Sequence, residues 1–492
     1  MSLRSHALRV VESPVCTVGL QVLLVSVPAV LILSSGTAVV DPDNWWHLST
    51  GAWMVRNRTV PHTNPFAGWA QGRPWVAYSW LYELMLSGWF RAWHLRGLIF
   101  FELVLAMAII VALFRLLLMF QDRAWKAAAF TAIGVFVLYP IFAPRPWMFT
   151  VLFFILQWHM ILRARIYGKL GRAWCIPLMY IVWANIHVQF LYGLFALGVA
   201  AAEPWIARSL GYKRQIFDEK VTLHLWEVFA ASAAATLVNP YFFGVYGVIW
   251  DYIHQAKAFN YIDELQALDF RRVKDYVELL LALVTTFLMG WRRQVRPLFV
   301  ILLGAAVVTA FRAERDLWFL VCAALPIAAL LSAEKPKPAA QMLPWQRAMA
   351  AVLALLVVVV AAARIDFSEA KLQSMVDQIY PSRACEFIAR NGLSGPVFNS
   401  LGWGGYLNWR LPQLGVVIDG RTNLYGDAHL AQTVDTWDGK AAWMFNTDLD
   451  KANLVIGDSV APLSSILRGS NKFHIVYEDD LAVVFVRNPE AR

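Results

Sequence analysis

Eleven apolar stretches read as helices buried in a bilayer, and this pattern limits the fold more than anything else in the chain. They run at about 15–38, 98–120, 126–143, 147–164, 174–188, 190–207, 223–240, 276–291, 297–312, 316–332 and 346–364. A helix needs roughly 17 to 25 mostly apolar residues to cross hydrocarbon. Lipid offers backbone N–H and C=O groups no partners, so a spanning segment must bond internally, as a helix does. Composition agrees: 59% of the 492 residues are hydrophobic and 16% charged, against about a quarter charged in a soluble domain. The first stretch is longer than the roughly 7 to 15 apolar residues of a signal peptide core, so it reads as a retained span. The expectation is an α-helical polytopic membrane protein with about eleven transmembrane helices. Its membrane domain covers 1–364, including a long loop at 39–97. A soluble α/β domain follows at 365–492.

A net charge of +9 would suit nucleic acid, but the basic residues are dispersed. Short loops hold Arg115, Arg123 and Lys126; Arg163, Arg165, Lys169 and Arg172; and Arg208, Lys213, Arg214 and Lys220. Two more hold Arg292, Arg293 and Arg296, and Lys335, Lys337 and Arg347. Basic short loops stay on the cytoplasmic side. With Arg4, Arg9 and the N-terminus there too, every one of these loops falls inside. The 39–97 loop, the 240–275 loop and the tail then fall outside. Arg56, Arg58, Arg73, Arg91 and Arg96 in the first outer loop run against the bias, and long loops obey it least. Membrane lipids are the expected surroundings and no nucleic-acid partner is expected. Cys16, Cys175, Cys322 and Cys385 have no metal-type spacing and suggest no disulfide framework; they read as small buried apolar residues.

The 39–97 loop contains two aromatic stretches, "NWWHLSTGAWMVRNR" and "YSWLYELMLSGWFRAWH", at partly helical spacing. Tryptophan-rich amphipathic helices lie in the membrane interface, and an interfacial belt accounts for most of the tryptophans. Between them, Pro61, Pro65, Gly68, Gly72 and Pro74 break the chain into turns. In the tail, "ACEFIARNG" and "DAHLAQTVDTW" read as helices, the first ending at Gly392. "PVFN", "GVVID" and "ANLVIG" read as strands, and "KFHIVYEDDLAVVFVR" as a hairpin.

Polar groups gather at the ends of the spans. Asp41, Asp43 and His47 follow the first; Arg145 starts the fourth; Asn185 and His187 end the fifth; Asn239 and Tyr241 end the seventh. Arg312, Glu314, Arg315 and Asp316 lie between the ninth and tenth. The threading puts all five groups on the outer face, in one polar cavity. Ionisable groups at membrane depth are costly and mark function. A carboxylate at Asp41 or Asp43 can act as general base. The pair could alternatively hold a divalent cation, magnesium or manganese, through oxygen. Arginine binds phosphate bidentately. No ATP is available outside, so the phosphate there belongs to a lipid, and a sugar is the natural cargo.

These features resemble the GT-C superfamily of polytopic glycosyltransferases, which use polyprenyl-phosphate-linked sugars. Asp41 and Asp43 match the position of that superfamily's acidic motif in the first outer loop. The following "HLSTGAWMVRNRTVPHTNPF" is similar to its helix, proline and polar-Pro-aromatic turn. More closely, the chain resembles bacterial multi-pass proteins through "DPDNWWHLSTG", "RPWMFT", "ANIHVQF", "VNPYFFGVY" and "VFNSLGWGGYLNWRLPQLGVVIDGRTNLYGD". The resemblance implies an inner-membrane enzyme that moves a sugar from a polyprenyl-phosphate donor to a glycan, lipid or protein acceptor outside the cytoplasm. Asp41 and Asp43 would be catalytic. His47, Arg145, Asn185, His187, Arg312, Arg315, Asp419 and Arg421 would bind substrate. The tail lacks the WWDYG motif of oligosaccharyltransferases, which argues against transfer of a preassembled oligosaccharide to asparagine.

Simpler readings compete for several of these residues. Asp43 could cap a helix, and His47 reads more readily as a packed, hydrogen-bonded histidine than as a metal ligand. Arg145 and Arg315 could be interface anchors, and Asn185 and His187 could bond neighbouring helices. Asn239 and Tyr241 fit a helix end before Pro240. "WGGY" fits close backbone packing. Asp419 and Arg421 fit an internal ion pair, and residues 478–480, "EDD", a solvated turn. The rivals to an enzyme are a flippase or transporter for a lipid-linked glycan and a non-catalytic envelope-assembly protein. A transporter would show matching broken half-spans in two repeats, and the sequence shows no such symmetry.

Overall fold

A computed structural model describes residues 13–168, 171–212, 219–333 and 343–489. Arg4, Arg9, Lys169, Lys213, Arg214, Lys335 and Lys337 lie outside the described residues. The chain forms two compact units. One comprises residues 1–35, 102–239 and 264–366; the other comprises 36–101, 240–263 and 367–492.

The first unit is helical. A helix stands at each expected span: Pro14–Ser35, the second half of Trp80–Leu118, Ala124–Leu138, Trp147–Tyr167, Cys175–Ala184 and Phe190–Ser209. Glu219–Ala235, Val273–Trp291, Pro297–Arg312, Leu317–Ser332 and Pro344–Ala362 complete it. Seven helices among the described residues are long and apolar enough to cross a membrane, against the eleven expected. The shortfall has plain causes. Cys175–Ala184 has 10 residues, Pro297–Arg312 has 16 and Glu219–Ala235 has 17. Val273–Trp291 carries Lys274, Asp275 and Glu278 in its first turns. Leu317–Ser332 is apolar on every side and buried on nearly every side, as a helix at the centre of a bundle must be. It packs on Ala124–Leu138, Trp147–Tyr167, Val273–Trp291 and Pro297–Arg312. Arg165, expected in a basic loop, instead sits in the last turn of its helix, in a buried ion pair with Glu203 at 2.6 Å.

In the second unit the tail is an α/β layout. β1 (Val397–Asn399), β2 (Leu454–Asp458), β3 (Phe473–Glu478) and β4 (Ala482–Arg487) form a sheet of order β1-β2-β4-β3. β1 and β2 are parallel; β4 is antiparallel to both neighbours. Helices Ser382–Arg390 and Thr422–Trp437 stand where the pattern placed them, and Gly392 follows the first with φ 60°. The β3–β4 turn is closed by Asp479, whose carboxylate accepts the Leu481 and Ala482 N–H groups. "GVVID" is not a strand. Val416 makes single bridges to Gly68 and Val397, and the Asn399 side chain takes the Val417 N–H and Ile418 C=O. A side chain thus supplies the partners a neighbouring strand would have given.

The two aromatic stretches of the first loop also differ from expectation. Helix Asp43–Asn57 is no surface helix, because Asn44 through Gly51 are all buried. Trp45 packs edge-on against Tyr380 and Tyr406 at 5.6 and 4.9 Å. The second stretch is helical from Trp80 and breaks at His94 (φ 51°, ψ −136°) before the apolar span begins. The 240–275 loop contains a further helix, Gly244–His254. Cys16 is half-buried and Cys175 exposed; Cys322 and Cys385 are buried, and all four thiols are free.

Candidate functional site

Two polar clusters stand out, one in each unit. In the second unit, the Asp41 carboxylate accepts the Asp43 N–H at 2.9 Å. The capping task expected of Asp43 therefore falls to Asp41. Asp43 occupies the first turn, where a negative charge suits the helix dipole, and its Oδ1 accepts the Trp46 indole N–H at 3.0 Å. His47 stacks on Trp46 with ring centroids 3.5 Å apart and meets Glu83 Oε1 at 3.3 Å. It is a packed histidine with a carboxylate partner.

The "IDGR" segment reaches this same helix. A Cβ on Gly420 would stand 2.2 Å from Asp43 Oδ1 and 2.9 Å from Trp46 Nε1. Only glycine leaves the Asp43 carboxylate its place there. The "WGGY" glycines also work by close approach: a Cβ on Gly404 would stand 1.9 Å from the Ile418 carbonyl oxygen.

On either side of Gly420, Asp419 and Arg421 form an ion pair that is almost wholly inaccessible to solvent. Arg421 Nε and Nη2 donate to Asp419 at 2.9 and 2.6 Å, and Nη1 donates to Asn64 Oδ1 at 2.7 Å. Its guanidinium lies 4.7 and 5.0 Å from the rings of Trp75 and Phe66. Asn408 and Tyr425 also donate to Asp419. Burial works most strongly against the Arg421 charge, but Asp419, Tyr425 and Glu83 together outweigh it and hold the pKa above the ordinary arginine value. Burial first, and then the Asp419 charge, push the Tyr425 phenol well up. Asn64 comes from the "HTNPF" turn, so this pair pins the first loop to the tail.

The second cluster belongs to the helical unit. Arg145 Nη1 donates to both oxygens of Glu264 at 3.2 Å. Arg315 Nη1 lies 3.6 Å from Glu264 Oε1. Two arginines 170 positions apart thus converge on one carboxylate. The three side chains keep 12%, 27% and 30% of their surface exposed, in the order Arg145, Arg315, Glu264. Around them, Asp316 accepts from Gln189 and Tyr192 at 2.8 Å each, and His187 Nδ1 meets Thr150 Oγ1 at 2.9 Å. Asn185 Nδ2 donates to Ile181 and Val238 carbonyls at 2.7 Å. Glu314 takes Lys274 Nζ at 2.7 Å and the Arg272 guanidinium. Arg312 is exposed.

Arg145, Asn185, His187, Asn239 and Arg312 to Asp316 therefore all belong to the helical unit. Asn185 and His187 hold neighbouring segments together. Asn239 Nδ2 bonds Thr236 O at 2.8 Å, at the end of its helix, and Tyr241 in the other unit bonds Pro61 O. The group of Asp41, Asp43 and His47 belongs to the second unit. Glu264 and Glu83 were not singled out from sequence; "HTNPF", "VVIDGR" and "NWWHL" carried Asn64, Gly420 and Trp46 without indicating their partners.

For a divalent cation the donor set is thin. No three His, Cys, Asp or Glu side chains among the described residues are grouped to hold a metal. Asp41 and Asp43 both spend an oxygen on local N–H groups. The described residues do not make a metal site.

No family model matches this chain, and no curated protein matches it. Among solved structures, it is similar to an archaeal oligosaccharyltransferase from Archaeoglobus fulgidus, solved with an inhibitory peptide and a dolichol-phosphate. The TM-score is 0.49 and the identity 10%, over 96% of this chain and 74% of the other. The apo form of an oligosaccharyltransferase from the same organism gives 0.48 and 10%, over 97% and 74%.

Proposed function

We propose that this chain is a membrane glycosyltransferase that moves a sugar from a polyprenyl-phosphate-linked donor to an acceptor hydroxyl on the outer side of a bacterial inner membrane. The observation that carries the reading is the convergence of Arg145 and Arg315 on Glu264. Two guanidiniums from distant segments meet at one carboxylate, in a partly open position at the ends of apolar helices. Arginines so placed suit a phosphate oxygen bidentately and remain charged at membrane depth. An apolar cavity of about 1070 Å³, bounded by Leu20, Leu24, Val27 and Phe136 among others, has the character to take a lipid chain.

In the reaction, the acceptor oxygen bonds to the sugar's anomeric carbon as its proton passes to a general base. The bond from that carbon to the phosphate oxygen breaks, and its electron pair stays on the phosphate. Arg145 and Arg315 stabilise the added charge. Asp41 orients the Asp43 backbone. Arg421 and Asp419 hold Gly420 against Asp43 and touch no substrate in this reading.

The test is a deletion strain complemented with wild type or with Arg145→Gln/Arg315→Gln. Wild type should restore one missing sugar in the surface glycans; the double variant should insert in the membrane yet fail to restore it. An unchanged glycan profile in the deletion, or full rescue by the double variant, overturns the reading.

A further inference from the structure

Away from the ion pair, the second unit has a cavity of about 250 Å³. That is below the roughly 300–1,000 Å³ typical of pockets for drug-sized ligands, so it has room for one small ring. One part of its wall is aromatic, from Trp45, Phe90 and Trp409. Phe90 and Trp409 meet at a right-angled 5.4 Å contact that fixes both rings. Another part is polar, from His94, Glu369 and Arg410. Arg410 is exposed, and Glu369 is half-buried and accepts the Arg96 backbone N–H at 3.4 Å. His94 is the residue at the helix break, with φ 51° and ψ −136°. A non-glycine residue adopts that conformation only where its surroundings impose it, and such residues gather at ligand clamps.

Few ligand classes need both walls at once. A wholly apolar ligand would leave the charged wall desolvated, and a small ion would leave the aromatic faces unused. A pyranose ring has one face of C–H groups, which packs on an aromatic ring, and a rim of hydroxyls that both donate and accept. Glu369 can accept from adjacent hydroxyls and Arg410 can donate to them in a forked geometry. Two motifs singled out from sequence supply this wall: Trp45 belongs to "DPDNWWH", and Trp409 and Arg410 extend "WGGY" into "WGGYLNWR".

We infer that this cavity is a binding site for a single sugar ring, with Phe90 and Trp409 as apolar faces and Glu369 and Arg410 as hydroxyl partners. The choice of a sugar rests on the glycosyltransferase reading; the cavity and its two walls do not. It serves a sugar unit of the acceptor or of the donor.

The full chain is reconstituted in nanodiscs, because glycoside detergents would compete. Saturation-transfer NMR is recorded with the methyl glycosides of glucose, mannose, galactose and N-acetylglucosamine. At least one should show saturable binding, weakened about tenfold or more by Trp409→Ala, as expected for removing an aromatic face. Arg410→Ala, at an exposed position, should weaken it too while leaving the thermal unfolding profile unchanged. Arg145→Gln/Arg315→Gln should bind the glycosides like wild type even where transfer is lost, which separates this inference from the transferase reading. Retained binding of a lipid-linked sugar by Trp409→Ala, beside lost glycoside binding, would assign the ring to the acceptor; loss of both would assign it to the donor. No binding of any glycoside by wild type, or equal binding by Trp409→Ala and Arg410→Ala, overturns the inference.

Discussion

Replacing Arg421 by methionine tests what holds the first loop to the tail. Methionine keeps much of the volume and removes the charge. Asp419 would keep its donors from Asn408 and Tyr425 but lose its counter-ion at 0% exposure. Removing one partner of a buried pair costs about 3–5 kcal/mol, mainly because the other charge is left buried. Asn64 loses its 2.7 Å donor, and two ring contacts, at about 0.5–2 kcal/mol each, go as well. The damage should be local. Hydrogen exchange over 61–76 should speed up strongly in nanodisc-reconstituted protein, while exchange within Leu317–Ser332 stays as in wild type. The double variant Asp419→Asn/Arg421→Met removes both charges and should recover about 1–3 kcal/mol of the single variant's loss, the coupling expected of contacting residues. Arg421→Met with unchanged protection of 61–76, or a double variant as unstable as the sum of the two singles, would refute the account.

Arg145→Gln alone should lower sugar transfer about 10²- to 10³-fold, the range for losing one donor to the developing charge. Asp41→Ala should cost about 1 kcal/mol of stability through the lost cap and leave transfer within tenfold, measured in isolated membranes. Gly404→Ala should destabilise the second unit by about 3 kcal/mol or more, since the Ile418 carbonyl cannot yield as a side chain would. Gly402→Ala in the same helix meets nothing within 4 Å and should add up to about 1 kcal/mol of helix stability; thermal unfolding of the two variants checks both. His429 Nε2 donates to the Val417 carbonyl at 2.9 Å; the ring stacks on Trp69 at 3.8 Å and is buried. Burial lowers its pKa, so the folded form resists protonation that the unfolded chain undergoes near pH 6.5. Its contribution is intact above about pH 6.5 and falls as the pH drops, by up to about 1.4 kcal/mol per unit; unfolding at pH 7.5 and 5.5 should show a shift that His429→Gln reduces.

Hydropathy placed the eleven α-helices of the first unit among the described residues, because water excludes apolar segments whatever they later pack against. Length and charge then divided them: Lys274, Asp275 and Glu278 are legible in the sequence as too polar for a simple span, and the expectation of eleven passed over them. In the tail, β1, β2 and the β3–β4 hairpin were local patterns and formed as such. "GVVID" had the same apolar pattern and did not, because Asn399 and Gly68 claimed its backbone. The aromatic run at 45–54 looked like an interface helix and is buried, because Tyr380 and Tyr406 cover it from 300 positions away or more.

What the sequence determined by itself is the partition into bilayer helices and a tail rich in short α and β elements, together with the residue types able to handle a phosphate and a proton. Those follow from transfer free energies and periodicity, which act over a few residues. Only the tertiary structure decided that Arg145 meets Glu264 across 119 positions and that Arg421 meets Asn64 across 357. It alone decided, too, that Gly420 stands against Asp43. Such contacts depend on how distant segments pack, and no local pattern of charge or hydropathy encodes which of the many possible partners a side chain finds.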